Sequence, residues 1–524
     1  MVQALAGSLQ AQFGPVTVIE THVSVLLLTG ERAYKLKKPV DLGFLDYTSR
    51  RGRRHFCHEE LRLNRRLAPQ LYLSVLPVTG SPTAPRIGGS GRAIDYVVEM
   101  RRFPDGALLA DRLAAGLLGG EQLDALTECV AEFHLGLPAL PPDAPYARPG
   151  DLLRAARDNL TALAAGAGQR TRDRLQRLAD WTEAEYRRRR ALLGQRRRAG
   201  WVRECHGDLH LGNIVWLQGR PVPFDGIEFD PGLRWQDVQG ELAFLTMDLA
   251  RRGRPDLARR VRDRYLQATG DYAGAALVDF FEVYRALVRA KVARLQAAGA
   301  GAGTRFRALR ECAQCLRLAE MLIRPRRLYL AITHGFAGSG KTRYADWLVE
   351  QTPVIRLRSD VERKRLLGLA ADARTGSGLD AGAYRADLTA ATYRQLATTA
   401  RRLLLAGWPV LVDASFLDVR ERRRFARLAA RLGVPFHILA CTAPAPVLDR
   451  RVAARAAQGI DASEAGAFAS RPSSTRSTSR TWRHWRKPAT PYAAGFSSSL
   501  SLTAWSRKSS VPTSGCVGAT APCL

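Results

Sequence analysis

The stretch Cys205–Asp230, CHGDLHLGNIVWLQGRPVPFDGIEFD, constrains this chain more than any other. Its spacings suit a short loop, a strand through Ile214, Val215 and Trp216, a turn at Gly219, and a second strand through Val222 and Phe224. Asp208, Asn213 and Asp225 are thereby delivered to strand edges. Hard oxygen donors of this kind hold Mg²⁺, and a carboxylate beside them can receive a proton. The expected roles are a catalytic base at Asp208 and metal ligands at Asn213 and Asp225.

HGDLHLGN followed by FDGIEFD resembles the catalytic and metal-binding segments of the aminoglycoside phosphotransferase family, relatives of the protein kinases. His206, Gly207, Asp208, His210, Asn213 and Asp225 all stand in the family's order. The resemblance implies a bilobal α+β kinase-like domain, ATP with Mg²⁺, and transfer of the γ-phosphate to a hydroxyl of a small molecule that the sequence does not identify. Such transfer rests on positioning and electrostatics more than on covalent help. In ERAYKLKKPVDLGFLDYTS, Ala33, Tyr34 and Leu36 alternate with charged residues as in a half-buried strand. The family's strand lysine for the α/β-phosphates is assigned to Lys35, with Lys37, on the same face, and Lys38 as competitors. Its helix partner is assigned to Glu60, in preference to Glu59, in EELRLNRRLAP. KLKKPVDLGFLDYTS and LNRRLAP look more specifically like a subgroup in which this domain is fused to a P-loop ATP-binding domain. Glu99 and Met100, in the strand AIDYVVEMRRF, are the expected hinge whose backbone meets adenine; no G-x-G-x-x-G loop precedes them. Asp237 either supports the catalytic loop from behind or caps the next helix.

The fused domain has its own signature. Leu328–Ile332 is a short apolar strand, and HGFAGSGKTRYADWLVE follows, with Gly335, Gly338, Gly340, Lys341 and Thr342 in the G-x-x-x-x-G-K-[ST] pattern between strand and helix. Glycines let amides turn inward on phosphates, Lys341 reaches them, and Thr342 offers a metal ligand. VIRLRSD and WPVLVDAS end further strands at Asp360 and Asp413. Asp413 is assigned to Mg²⁺ or its water, and Asp360 with Arg363 to the acceptor; helix capping is the alternative for either aspartate. DRRVAARAA resembles a lid helix bringing Arg451 and Arg455 onto phosphate, although a solvated helix face fits equally.

Length and composition bound the rest. At 524 residues, with 46% hydrophobic and 8% aromatic residues, the chain suits two or three soluble domains. They are placed at 1–323 (kinase-like) and 327–464 (α/β P-loop with a parallel sheet), with a tail from 465 to 524. That tail holds no acidic residue and no period, and reads as disordered or frameshifted. The net charge of +31 arises almost wholly from Arg, since only eight of the 80 basic residues are Lys. A nucleic-acid partner is therefore not favoured, although a 5′-hydroxyl kinase acting through the P-loop domain remains a rival reading. A non-catalytic, ATP-responsive regulator is another. Cys312 and Cys315 form an isolated C-x-x-C, expected as reduced thiols. Residues 1–10 lack a charged start before an apolar run, and no window approaches a membrane span, so a cytoplasmic location is expected; the sequence sets no oligomeric state.

Overall fold

The computed structural model describes residues 1–43, 45–298, 301–370, 373 and 385–458. The expected tail from 465 lies outside the described residues. Two compact units form among the described residues, 1–326 with 346–353, and 327–345 with the described residues from 354 to 458.

The first unit opens with α1 (Val2–Phe13), β1 (Thr17–Glu20), β2 (Ser24–Leu28), β3 (Arg32–Lys37) and α2 (Arg50–Asn64). β4 (Tyr72–Ser81), β5 (Ala84–Ile87) and β6 (Asp95–Arg101) complete an antiparallel sheet in the order β1-β2-β3-β6-β4-β5. Ser49 starts α2 by accepting the Gly52 N–H at 3.0 Å. Cys57 of α2 then packs with Ala33, Tyr72, Val98 and Met100 of the sheet, which turns Glu60 inward as well.

The remainder of this unit is largely helical: α3 (Leu109–Ala114), α4 (Gly120–Gly136), α5 (Pro149–Ala164) and α6 (Gln169–Arg198). β7 (Val202–Glu204), β8 (Ile214–Leu217) and β9 (Arg220–Pro223) follow, then α7 (Pro231–Arg234) and β10 (Trp235–Asp237). α8 (Val238–Arg251), α9 (Pro255–Thr269), α10 (Val278–Ala298) and α11 (Ala302–Leu322) close it. β8 and β9 pair antiparallel from Ile214↔Pro223 to Leu217↔Arg220. Gln218 and Gly219, at φ 50° and 77°, make the two-residue turn whose twist matches the strands. α8 is buried on every side from Val238 to Leu249, so it acts as an internal post against which the β7 segment rests. Cys312 and Cys315 sit in α11 as free thiols, the second buried.

In the second unit the strands are β11 (Leu330–His334), β12 (Ile355–Arg358), β13 (Val410–Asp413) and β14 (Phe436–Ala440), parallel in the order β12-β13-β11-β14. Helices α12 (Lys341–Gln351), α13 (Ser359–Leu366), α14 (Ala386–Leu405), α15 (Val419–Arg431) and α16 (Ala445–Gln458) alternate with them. Leu330, Ile332, Leu357 and Val410–Val412 are fully buried, the continuous apolar pattern of strands covered on both faces. Ligands of such sheets bind beyond the carboxyl ends of the strands. Among the described residues, no helix is long and apolar enough to cross a membrane.

Leu245, on the buried post, is fully enclosed, whereas Leu309 of α11 is half exposed. Leu245→Ala should cost about 2–5 kcal/mol of unfolding free energy and Leu309→Ala less than about 0.5 kcal/mol, both read from denaturant midpoints. Equal effects would contradict the placement of α8.

Candidate active site

The period of 2 along β3 puts Lys35 and Lys37 on one face, and both reach Glu60 of α2. Lys35 Nζ donates to Glu60 Oε1 at 2.8 Å and to Asp225 Oδ1 at 2.5 Å. Lys37 Nζ donates to Glu60 Oε2 at 2.7 Å and to Glu228, whose carboxylate also accepts the Tyr47 hydroxyl. Exposure separates the two lysines. Lys37 is 1% exposed, whereas Lys35, at 12%, faces an Asp225 that is 42% open. Lys38 turns away to Glu20 and the Thr21 carbonyl. Burial would lift the Glu60 pKa, but the two ammonium groups bring it down to about 2. Burial would lower the Lys35 pKa, yet Asp225 and Glu60 outweigh it and hold the pKa well above its ordinary value.

Asp225 occupies the left-handed region at φ 62°, on the order of 1–2 kcal/mol above the helical basin for a non-glycine residue. Its surroundings impose that conformation. The Asp225 N–H donates to the Tyr72 hydroxyl at 3.1 Å, and the Gly226 N–H donates to Asn64 Oδ1 at 2.7 Å. Asn64 in turn donates to the Glu60 carbonyl, so the last turn of α2 clamps the loop that carries Asp225.

The catalytic-type loop lies between β7 and β8. Asp208 Oδ2 accepts Asn213 Nδ2 at 2.9 Å and has His210 Nε2 at 3.4 Å. Burial raises the Asp208 pKa, but His210, Arg289 and His206 pull it well below the usual carboxylate range. A third of its side chain is open, so water screens part of that pull. His206 links the two carboxylate-bearing segments. Its Nε2 meets the Phe224 carbonyl at 2.8 Å and its Nδ1 accepts the Asp208 N–H at 3.3 Å. A carbonyl only accepts, so the proton resides on Nε2, and burial depresses the pKa and keeps the ring neutral.

Sequence reasoning missed the carboxylate beneath this loop. Glu241 accepts the His206 N–H at 3.0 Å and the Gly207 N–H at 2.7 Å, and it meets His134 Nε2 at 3.1 Å. The supporting role considered for Asp237 therefore belongs one helical turn later. Asp237 caps α8 through the Gln239 N–H and pairs with Arg196. His134, Cys205 and Glu241 bring metal-type atoms within 4.8 Å of one another, but the Glu241 oxygens are already taken by two amides, an imidazole and Gln236. This cluster is a hydrogen-bonded core. Glu228, Tyr47, Asn64 and Tyr72 were missed too, because their partners lie far away in sequence.

One expectation is corrected. Glu99 and Met100 lie inside β6, in register with Tyr34 and Ala33 of β3 on one side and Ser74 and Tyr72 of β4 on the other. The Glu99 side chain is bound by Ser74, and Met100 is core. The chain leaves the sheet only after Arg101.

In the second unit, the loop after β11 holds Gly335, Gly338 and Gly340 at φ 145°, 79° and 92°. A Cβ on Gly335 would stand 2.3 Å from the Cys441 carbonyl oxygen, and one on Gly338 would stand 2.9 Å from that of Leu448. Lys341 Nζ folds back onto the Gly335 and Phe336 carbonyls at 3.0 and 2.8 Å. Asp413, at the end of β13, accepts Thr333 Oγ1 at 3.3 Å, and its buried Oδ2 has no hydrogen bond. Arg356 and Arg358 stand at 3.9 and 4.0 Å, and burial raises its pKa despite them. Asp360 pairs with Arg363 at 3.2 Å and lies within electrostatic reach of Asp413. Arg451 donates to the Gly338 carbonyl at 3.3 Å. Thr342 is half-buried in the first turn of α12; the side chain of Arg455 lies outside the described residues. A cradle with no room for side chains beside an orphaned buried carboxylate oxygen fits a phosphate chain with its magnesium.

Comparisons with known proteins agree with this division. Residues 24–281 match a family described as "Phosphotransferase enzyme family", and residues 330–470 match one described as "AAA domain". Uncharacterized protein Rv2004c of Mycobacterium tuberculosis and uncharacterized protein Mb2027c of Mycobacterium bovis are each 32% identical over 448 residues, 85% of this chain and 88% of theirs. Among solved structures, a choline/ethanolamine kinase family protein from Mesorhizobium loti is 14% identical, covers 61% of this chain and 96% of its own, and has a TM-score of 0.38. An ethanolamine kinase from Plasmodium vivax is 10% identical over 59% of this chain and 84% of its own, with a TM-score of 0.36.

The Glu241 pKa is pulled from 4.5 to about 2 by His134, His206 and the Gly207 amide against the opposing effect of burial. A depressed folded-state carboxylate stabilises fully above its unfolded pKa and loses that contribution as pH falls toward the folded one. Roughly 3 kcal/mol should therefore disappear between about pH 4.5 and about pH 2, and denaturant titrations of Glu241→Gln should show a flatter acid limb. Gly335→Ala should remove nucleotide binding at the P-loop in a fluorescent-nucleotide assay, whereas Gly303→Ala, which meets open space, should leave it unchanged.

Proposed function

Because the chain belongs to the phosphotransferase enzyme family, its kinase-like domain fused to a P-loop AAA domain, we propose that the first domain transfers the γ-phosphate of ATP to a hydroxyl of a small molecule. The observation that carries this reading is Lys35 held between Glu60 and Asp225, with the ionised Asp208 held by Asn213. The domains are taken as about 1–323 and 327–464, in the cytoplasm, where ATP is available.

Asp208 would face the acceptor hydroxyl, orient it and take its proton at a carboxylate oxygen. Asn213 and Asp225 would hold Mg²⁺ through oxygen ligands, and the ion would offset phosphate charge. Lys35 would trade its bond to Asp225 for the α/β-phosphates while Glu60 keeps its ammonium in place. The existing ion pairs thus hold each group near its working position and spare reorganisation at the moment of reaction. The P-loop domain would be a second ATP site. Lys341, Thr342 and Asp413 would serve phosphate and metal, Arg451 would face the phosphates, and Asp360 with Arg363 would face an acceptor.

The test is transfer of labelled γ-phosphate to fractionated metabolites by wild type, Asp208→Ala and Lys341→Ala in parallel. Asp208→Ala should lower transfer by about 10²–10⁴-fold, the usual worth of a positioned proton acceptor, while ATP affinity stays within a few-fold. Undiminished turnover would defeat the role of Asp208. Loss confined to Lys341→Ala, with oligonucleotides as acceptors, would favour the nucleic-acid 5′-hydroxyl kinase.

A further inference from the structure

The carboxy-terminal part of α6 faces the loop that enters α5 across a cleft of about 850 Å³, a size typical of small-ligand sites. Arg148, Arg187, Arg190, Arg197 and Arg198 border it, with Asp143 as the single carboxylate. Several arginines elsewhere on α6 are paired with carboxylates. Arg188 and Arg189 hold Glu185, Arg174 and Arg177 hold Glu320, and Arg196 holds Asp237 and Asp271. Along the cleft that habit stops. Arg148, Arg187, Arg190 and Arg198 make no ion pair among the described residues, and Glu183, within electrostatic reach of Arg187, is bonded to Arg157.

Arg187, Arg190 and Arg197 recur at spacings that place them on one stripe of the helix, where like charges repel unless an anion joins them. Two further features shape the site. Arg197 donates to the carbonyls of Pro142, Ala144 and Tyr146 at 3.2, 2.6 and 3.3 Å, which fixes the opposing wall. Gly194 lies on the same stripe, in a helix interior where glycine weakens the helix; a Cβ there would meet only Arg198 Nη1, at 3.6 Å. A ligand can therefore approach the backbone between the guanidinium groups. No aromatic side chain borders the cleft, so bases would find no stacking platform, whereas guanidinium forks match phosphate oxygens.

We propose that this cleft binds a small anion carrying several linked phosphates, gripped by Arg148, Arg187, Arg190 and Arg198 and sharing no residue with either nucleotide site. The probe is inorganic tripolyphosphate, added to the full chain carrying Lys35→Ala and Lys341→Ala and followed by hydrogen exchange and calorimetry. Exchange should slow across 141–150 and 187–198, and the affinity should fall with added salt. Arg187→Gln with Arg190→Gln and Arg198→Gln should weaken binding at least about tenfold, as expected from lost charge-assisted bonds. Asp143→Asn, which removes the one repelling carboxylate, should tighten it. Unchanged affinity in the triple variant, or equal protection by inorganic orthophosphate, would overturn the proposal. Protection by a short RNA but not by tripolyphosphate would also overturn it, in favour of a nucleic-acid surface.

Discussion

Glu60 is a fully buried carboxylate, and the geometry of the kinase-like domain depends on how its charge is met. A buried ion is tolerated only when paired and hydrogen-bonded. Each of its oxygens takes one lysine of β3, and each lysine spends a second bond on the segment after β9. Lys35 goes to Asp225 and Lys37 to Glu228. Two lysines two residues apart on a strand thus engage two carboxylates three residues apart on a loop, with one helix residue between them. Removing any member strands a charge, so the helix, the strand and the loop are held in register together.

The catalytic-type loop is secured by the same logic with different groups. Amides of His206 and Gly207 end on Glu241, which projects from a helix with no exposed face in its first three turns. The His206 ring then ties that loop to the carbonyl preceding Asp225. Asp208 and Asp225 come from different segments, yet neither is positioned by its own strand alone. The P-loop unit takes another route. Its glycines are forced by contact with the Cys441 and Leu448 carbonyls, and Asp413 is left with one oxygen unsatisfied and a raised pKa. One site stores its charge in closed ion pairs, while the other leaves a carboxylate oxygen open.

What was legible in the chain were the parts that depend on local order. The β8–β9 hairpin with its turn at Gly219, the strand–glycine loop–helix around Lys341, and the parallel strand ending at Asp413 all follow from patterns a few residues long, whereas the strand expected to end at Asp360 stops at Arg358 and leaves Asp360 in the first turn of α13. Glu60 was preferred to Glu59 on the family resemblance, and it is Glu60 that meets Lys35. The hinge was misplaced because β6 stays paired on both sides through Met100, and strand ends depend on neighbours that a linear reading does not contain.

By itself the sequence determined that a kinase-like domain is followed by a P-loop domain and which residue types their motifs carry, since glycine conformational freedom, strand period and oxygen ligands are properties of short stretches. Only the tertiary structure decided between rivals of identical chemistry. Lys35 and Lys37 share a strand face, and Asp237 and Glu241 stand at the cap and in the first turn of one helix. Their roles diverge because long-range packing exposes Lys35 to Asp225 while enclosing Lys37 with Glu228, and turns Glu241, not Asp237, onto the His206 and Gly207 amides. Contacts closed across such separations are settled by burial and charge pairing in three dimensions, where sequence spacing carries no information.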